Sequence, residues 1–216
     1  MTPDPVKPRR AYVSPRRREQ AEGTRRAILE AAERRFLQDG WAATTMAGVA
    51  REAGVAQRTP YVVFGTKAGL LRELWHLRLR GDEGPAPMGE RDWFRALLAE
   101  PDPRRALAGM AAVSRQVKER AGGLLEVIRA GADGDDEVAA LWGRINGGFH
   151  ELLSGLTEAL GSRGALRAGL ARDEATDVMW ALVHPDLWQL LVVRRGWSPE
   201  RYEGWLAGAL VRELLG

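Results

Sequence analysis

The chain has 216 residues, a formal net charge of +3 and no cysteine, which excludes a disulfide framework and any metal site built from thiolates. No apolar run approaches the roughly 18 residues of a membrane span, and the Pro- and Arg-rich N-terminus lacks the apolar segment of a secretory signal. The three histidines are far apart and show no metal-ligand spacing. We therefore expect a cytoplasmic protein with no membrane contact, no metal and no cofactor.

The charge is distributed unevenly along the chain. Residues 1–80 carry 16 Lys and Arg against 8 Asp and Glu, a net of +8, whereas residues 81–216 carry 16 against 21, a net of −5. A basic segment beside an acidic one indicates that the first third meets a polyanion such as DNA. The alternative is uneven surface charge without a partner.

The first 21 residues form a proline-rich basic segment. They hold four prolines and six of the chain's Lys and Arg residues, and their low apolar content predicts a disordered arm. Arg16, Arg17 and Arg18 within this arm either follow a phosphate strand or enter a minor groove, or they belong to a solvated tail.

Four helices are predicted after this arm, because apolar residues recur at helical spacing between breaks. Gly40 is predicted to end the first helix in the way a glycine after a helix commonly does. Gly54 is predicted to supply the positive φ of a sharp turn between the second and third helices. The predicted ranges are 23–39, 46–53, 57–63 and 67–80.

The second and third of these helices form the pattern of a helix-turn-helix, whose second helix enters the DNA major groove. Gln57, Arg58 and Thr59 would then face base edges, because Gln and Arg make paired hydrogen bonds to adenine and guanine. Pro60 leaves the register open: it clashes with the preceding turn if the helix begins at 57, but fits the first turn if the helix begins later.

The remainder of the chain is also predicted to be helical. The stretch 81–89 has three glycines and two prolines, typical of a linker, and we place the domain boundary at its start. Ser198 followed by Pro199 is a strong helix start. The predicted helices cover 91–99, 103–120, 122–131, 135–161, 172–195 and 199–215.

Three stretches of the first domain resemble the N-terminal domain of TetR-type repressors. They are R-R-A-I-L-E-A-A-E-R-R-F-L-Q-D-G-W (25–41), T-T-M-A-G-V-A-R-E-A-G-V-A (44–56) and T-P-Y-V-V-F-G-T-K-A-G-L-L (59–71), which follow one another in the expected order. Residues 184–210 resemble the last two helices of many members, whereas 81–170 match nothing specific. One departure is Val63, where many members have a histidine that contacts phosphate.

The resemblance implies an all-α protein: a three-helix helix-turn-helix domain over 22–80, and a larger helical domain over 81–216 for ligand binding and dimerisation. It implies that Tyr61 and Lys67 contact phosphate, and Thr45 occupies a position suited both to capping and to phosphate contact. The alternatives are a core tyrosine, a solvated lysine and a threonine that only caps.

For the second domain, the resemblance implies a ligand cavity and a twofold dimer. The candidates for the cavity lie on matching helices, although core packing is the alternative for each. These candidates are Trp142, Phe149, His150, Met179 and Trp180. The last two helices would pair with those of a second copy, and the candidates for that interface are Leu187, Leu191, Trp205 and Leu210.

The function so implied is a homodimeric repressor, which binds a palindromic operator in double-stranded DNA and is released when a small lipophilic molecule enters the second domain. Two alternatives remain: a DNA-binding protein without a ligand, and an enzyme with an accessory DNA-binding domain. For the enzyme we find no nucleophile–base motif and no phosphate-binding glycine loop, and hence no candidate catalytic residue.

Overall fold

The computed structural model describes residues 15–80 and 88–215, and these ranges contain helices and turns but no strand. The predicted all-α fold is confirmed. No helix within the described ranges is both long and apolar enough to cross a membrane. The predicted arm falls outside these ranges over 1–14, as does most of the predicted linker, 81–87.

The first four helices follow the predicted order with shifted ends. They are α1 (Pro15–Ala43), α2 (Met46–Glu52), α3 (Thr59–Phe64) and α4 (Lys67–Arg80). Gly40 has φ 73° and interrupts α1, and Gly54 has φ 67° in the turn after α2, so both glycines adopt the predicted left-handed conformation.

The start of α1 corrects the extent of the predicted arm. Residues 15–21, expected to be disordered, are helical and continuous with the rest of α1. Arg16, Arg17 and Arg18 therefore lie exposed on a helix rather than in a flexible tail. This stretch has no proline after its first residue, and proline at a helix start costs no hydrogen bond.

The second part of the chain begins with a single 3₁₀ turn at Met88–Glu90, followed by six helices. They are α5 (Asp92–Ala99), α6 (Pro103–Ala132), α7 (Asp136–Ser162), α8 (Arg172–Val183), α9 (Pro185–Trp188) and α10 (Pro199–Leu214). The break expected at 120–122 is absent, because Ala121 and Gly122 are buried inside one continuous α6.

The long helix predicted over 172–195 is divided. His184 has φ −59° and ψ 143°, as expected before proline, and it separates α8 from α9. A π-helical segment, Gln189–Arg194, follows α9. Ser198 caps α10 as predicted, since its Oγ accepts a hydrogen bond from the Arg201 amide at 3.2 Å.

Two hydrophobic cores hold these helices together. One contains Ile28, Phe36 and Leu74 of the first four helices together with Leu124 and Ile128 of α6. The other core joins α5 and the N-terminal part of α6 to α7, α8 and α10. The first core crosses the predicted domain boundary, because α4 and α6 are packed together in it.

Candidate DNA-binding surface and ligand cavity

The helix-turn-helix is built from α2, the turn at Gly54 and α3. Thr45 caps α2, because its Oγ1 accepts the Gly48 amide at 3.1 Å. Val49 and Phe64 are buried between the helices. The remaining face of α3 points away from this core, so its side chains are available to a partner.

The register of α3 differs from the prediction that it begins at Gln57. The helix begins at Thr59, which places buried Pro60 in the first turn, where it removes no helical hydrogen bond. Gln57 and Arg58 precede the helix and are exposed. The Arg58 side chain pairs with no group among the described residues, and Thr59 is half-buried at the first helical position.

The outer face of α3 carries three large side chains that water can reach. Tyr61 is 51% exposed, Val62 is 77% exposed and Val63 is also exposed. Tyr61 is therefore not the core residue of the alternative interpretation. Sequence reasoning missed Val62, although its place in the middle of this helix was a usable signal, since an apolar side chain there suits a thymine methyl group.

The Lys67 side chain makes several contacts within the protein itself, more than a lysine that only contacts phosphate would need. Its Nζ donates to the carbonyls of Trp41 at 2.8 Å and Thr44 at 3.0 Å, and lies 3.9 Å from the centre of the Trp41 ring. Burial lowers the pKa of Lys67. Two of its three donors therefore fasten the start of α4 to the connection between α1 and α2.

Ion pairs fix α1 against its neighbours. Arg25 pairs with Glu73 of α4 at 2.6 Å, and Arg34 pairs with Glu52 of α2 at 2.7 Å. These arginines have carboxylate partners, whereas Arg58 pairs with no group among the described residues.

A cavity of about 740 Å³ lies in the second part of the chain, enclosed mainly by α4, α5, α6 and α7. Trp142 and Phe149 line it, as predicted. Most of the other walls are aliphatic or aromatic, and this volume lies within the range of about 300–1,000 Å³ found for small-molecule sites. Within the described residues, no cluster of His, Asp and Glu suited to a metal is present.

Three of the predicted ligand-binding residues do not line this cavity. Met179 lies on α8 and is fully buried in the core, because its side of this helix faces other helices. His150 bonds Asp177 at 3.0 Å. Trp180 packs edge-on against His184, with ring centres 4.9 Å apart, and lines a separate shallow pocket.

Lys118 is the cavity residue that sequence reasoning missed. It lines the cavity on α6 but is only 6% exposed, and its Nζ donates to Ser114 Oγ and to the Tyr202 hydroxyl, each at 2.8 Å. Burial lowers the pKa of Lys118 to about 7. A lysine four residues from Ser114 on the apolar face of α6 was the available signal.

The cavity and the DNA-binding surface share α4. Trp75, His76 and Leu79 of this helix line the cavity, while Lys67 at its start is fastened beside α2. A second connection joins Thr66 to α7, whose Glu137 accepts the Thr66 hydroxyl at 2.8 Å. The geometry allows a molecule in the cavity to press directly on the helix that follows α3.

The candidate dimer residues divide into two groups. Leu187, Leu191 and Trp205 are partly exposed, whereas Leu210 is 0% exposed. The side of α10 that carries Leu210 faces the protein's own core, so we no longer propose Leu210 as an interface residue. Leu190 and Val193, at the end of the same region, are exposed instead, with Val193 61% exposed.

Comparison with known proteins finds bacterial transcriptional regulators that are similar to the helix-turn-helix part of the chain. A family model described as bacterial regulatory proteins, tetR family, matches residues 28–74. The chain is 46% identical over 59 residues to the HTH-type transcriptional regulator TtgR of Pseudomonas putida, a match that covers 27% of this chain and 28% of TtgR.

Solved structures match over nearly the whole length. NalD of Pseudomonas aeruginosa, the secondary repressor of the MexAB-OprM multidrug efflux pump, has a TM-score of 0.71 and 24% identity, covering 91% of this chain and 98% of NalD. The transcriptional regulator FadR of Bacillus subtilis, in complex with stearoyl-CoA, has a TM-score of 0.69 and 17% identity, covering 87% and 98%. At these identities the comparison establishes a common fold.

Proposed function

We propose, from the premise that the chain belongs to the TetR family of bacterial regulatory proteins, that it is a homodimeric repressor released from a palindromic operator by a small lipophilic molecule. Such a protein acts on the chromosome, which places it in the bacterial cytoplasm. NalD supports the repressor role, and FadR, solved with a bound acyl-CoA, supports the role of a ligand.

The observation that carries this proposal is the outward face of α3. Tyr61, Val62 and the preceding Arg58 are exposed together, whereas Arg25 and Arg34 pair with carboxylates. A guanidinium just before this short helix, and a phenol and an apolar group on it, match what the major groove offers: guanine acceptors, phosphates and thymine methyls.

The ligand would act through α4. In the absence of ligand, the dimer holds its two α3 helices about 34–36 Å apart, the separation of successive major grooves on one side of the duplex. A molecule bound between Trp75, Leu79 and the helices facing them would displace α4 and with it α3. Because the two states differ in affinity for DNA, ligand binding shifts the population toward the released form.

The dimer surface we propose includes the outer side of the region from Leu187 to Val193. A twofold interface buries the same patch on both copies. The exposed Leu190 and Val193 lie in the same segment as the partly exposed Leu187 and Leu191, and Trp205 on α10 is also partly exposed.

The test is selection of bound duplexes from a random library, followed by binding of variants to the consensus. We expect a twofold-symmetric consensus. Arg58→Ala and Gln57→Ala should each weaken binding by about 5- to 100-fold and relax the preference at one base position. Arg105→Ala, which removes an exposed arginine on α6, is the matched control and should leave binding unchanged.

Two outcomes would contradict the proposal. A protein that stays monomeric and shows no preference among duplexes at physiological salt would remove the repressor function. An equal loss of affinity on all sequences for Arg58→Ala would reduce this residue to a phosphate contact.

A further inference from the structure

The inference starts from the polar groups deep in the cavity. Lys118 and Ser114 are both buried and line the cavity from α6. Lys118 Nζ donates to Ser114 Oγ and to the Tyr202 hydroxyl at 2.8 Å each and lies 4.9 Å from the centre of the Tyr202 ring. Both partners are neutral hydroxyls, and no carboxylate among the described residues pairs with this ammonium group.

A buried cation without a counter-ion is costly, because the hydroxyls replace only part of its hydration. The phenol does not supply a negative charge at neutral pH, since burial raises the pKa of Tyr202. An apolar residue of similar length would fill the space without this cost. The packing of the protomer alone therefore gives no reason for an ammonium group here.

The rim of the cavity does not select the charge of a ligand. Exposed Arg144 and Glu151 both lie there and have opposite signs. The cavity walls include Met110, Leu125 and Val183, which are buried and apolar. His76 also lines the cavity, but burial lowers its pKa and so favours the neutral imidazole. Charge selection therefore falls to Lys118, the buried cationic side chain of the lining.

We infer that the effector is an amphiphilic acid: a carboxylate bonded by the ammonium group of Lys118 and the hydroxyl of Ser114, carried on an apolar body against the aromatic walls. The third donor of Lys118, used by neither Ser114 nor Tyr202, is available to the carboxylate. The ion pair forms in an apolar surrounding, where a charge-assisted hydrogen bond is strong. This inference rests on the proposed function, because it assumes that the cavity holds the effector.

The test compares matched acids and alcohols in competition with a neutral fluorescent reporter, N-phenyl-1-naphthylamine. The probes are octanoate against octanol, dodecanoate against dodecanol, and 2-naphthoate against 2-naphthol, at slightly acidic pH where Lys118 is charged. For the wild type we expect at least one acid to bind about 10-fold or more tightly than its alcohol.

Two variants locate this preference. Lys118→Met should abolish the preference for the acid while leaving reporter and alcohol binding nearly unchanged, whereas Arg144→Met, which removes the charge at the rim, should retain it. Reporter binding by each variant shows that the cavity is intact, so that a folding defect is not mistaken for lost recognition.

The outcomes separate the inference from the proposed function. If the reporter and alcohols bind but no acid is preferred, or if Lys118→Met keeps the preference, the inference is overturned and the ligand-responsive repressor stands. If neither the reporter nor any probe binds, the cavity is not a ligand site, and the effector part of the proposed function fails with the inference.

Discussion

Replacing Lys118 with methionine should stabilise the protein at neutral and acidic pH while removing part of its pH dependence. The pKa of Lys118 falls from 10.5 to about 7 on folding because of burial. At about 1.36 kcal/mol per pH unit, this corresponds to a cost of about 5 kcal/mol for the charged form. The variant loses two hydrogen bonds, each contributing about 1–1.5 kcal/mol. We therefore expect its free energy of unfolding to exceed that of the wild type by about 2–3 kcal/mol near pH 6.

The sign of the pH dependence follows from the proton count. Between pH 7 and 10.5 the unfolded chain binds the Lys118 proton and the folded chain does not, so wild-type stability rises with pH in this window. Below this pH window Lys118 is protonated in both the folded and the unfolded chain, and the full cost of burying the charged form applies. The advantage of Lys118→Met should therefore shrink by about 3 kcal/mol between about pH 7 and 9.5.

The assay is urea unfolding followed by tryptophan fluorescence at about pH 6, 7.5 and 9.5, at one fixed protomer concentration because a dimer's stability depends on it. Ser114→Ala is the control: it removes a hydrogen bond but keeps the amine, so it should retain the wild-type pH slope. If wild type and Lys118→Met gave parallel stability–pH profiles, the reasoning about the buried ammonium would be refuted.

Two further predictions concern packing and assembly. Gly131→Ala should lower the free energy of unfolding in urea by about 1–3 kcal/mol, since the added methyl would lie 2.8 Å from Trp41 Cγ. Gly134→Ala serves as control, because its methyl meets nothing within 4 Å. Equal effects of the two substitutions would mean that the Trp41 ring does not pack on α6. Val193→Asp should dissociate the proposed dimer in sedimentation velocity, because it places a charge on an apolar patch, and an unchanged dimer would exclude Val193 from the interface.

For the residues proposed to contact bases, the structure corrects the position relative to the helix, which begins at Thr59 and not at Gln57. Gln57 and Arg58 precede α3 and Thr59 is its first residue, and their base contacts remain predictions. The shift of the helix start to Thr59 follows from Pro60, which is compatible with a first turn and incompatible with a fourth position. The sequence contained this constraint, but only the structure decided between the two registers.

The sequence by itself determined the features whose causes are local. Gly40 and Gly54 adopt positive φ because of their own backbone freedom, Ser198 caps the helix that follows it, and helical spacing of apolar residues defines most of the helices. The motifs of the first domain likewise lie within one continuous stretch, so their order was visible without coordinates.

Only the tertiary structure decided what each helix face meets. Periodicity marks an apolar side of a helix, but the element that covers it comes from distant parts of the chain. Met179 and Leu210 therefore proved to be core residues, and Lys118 proved to line the cavity, with its ammonium group bonded to Tyr202 of α10. The burial of an ammonium group between two hydroxyls depends on residues 84 positions apart, which no local pattern contains.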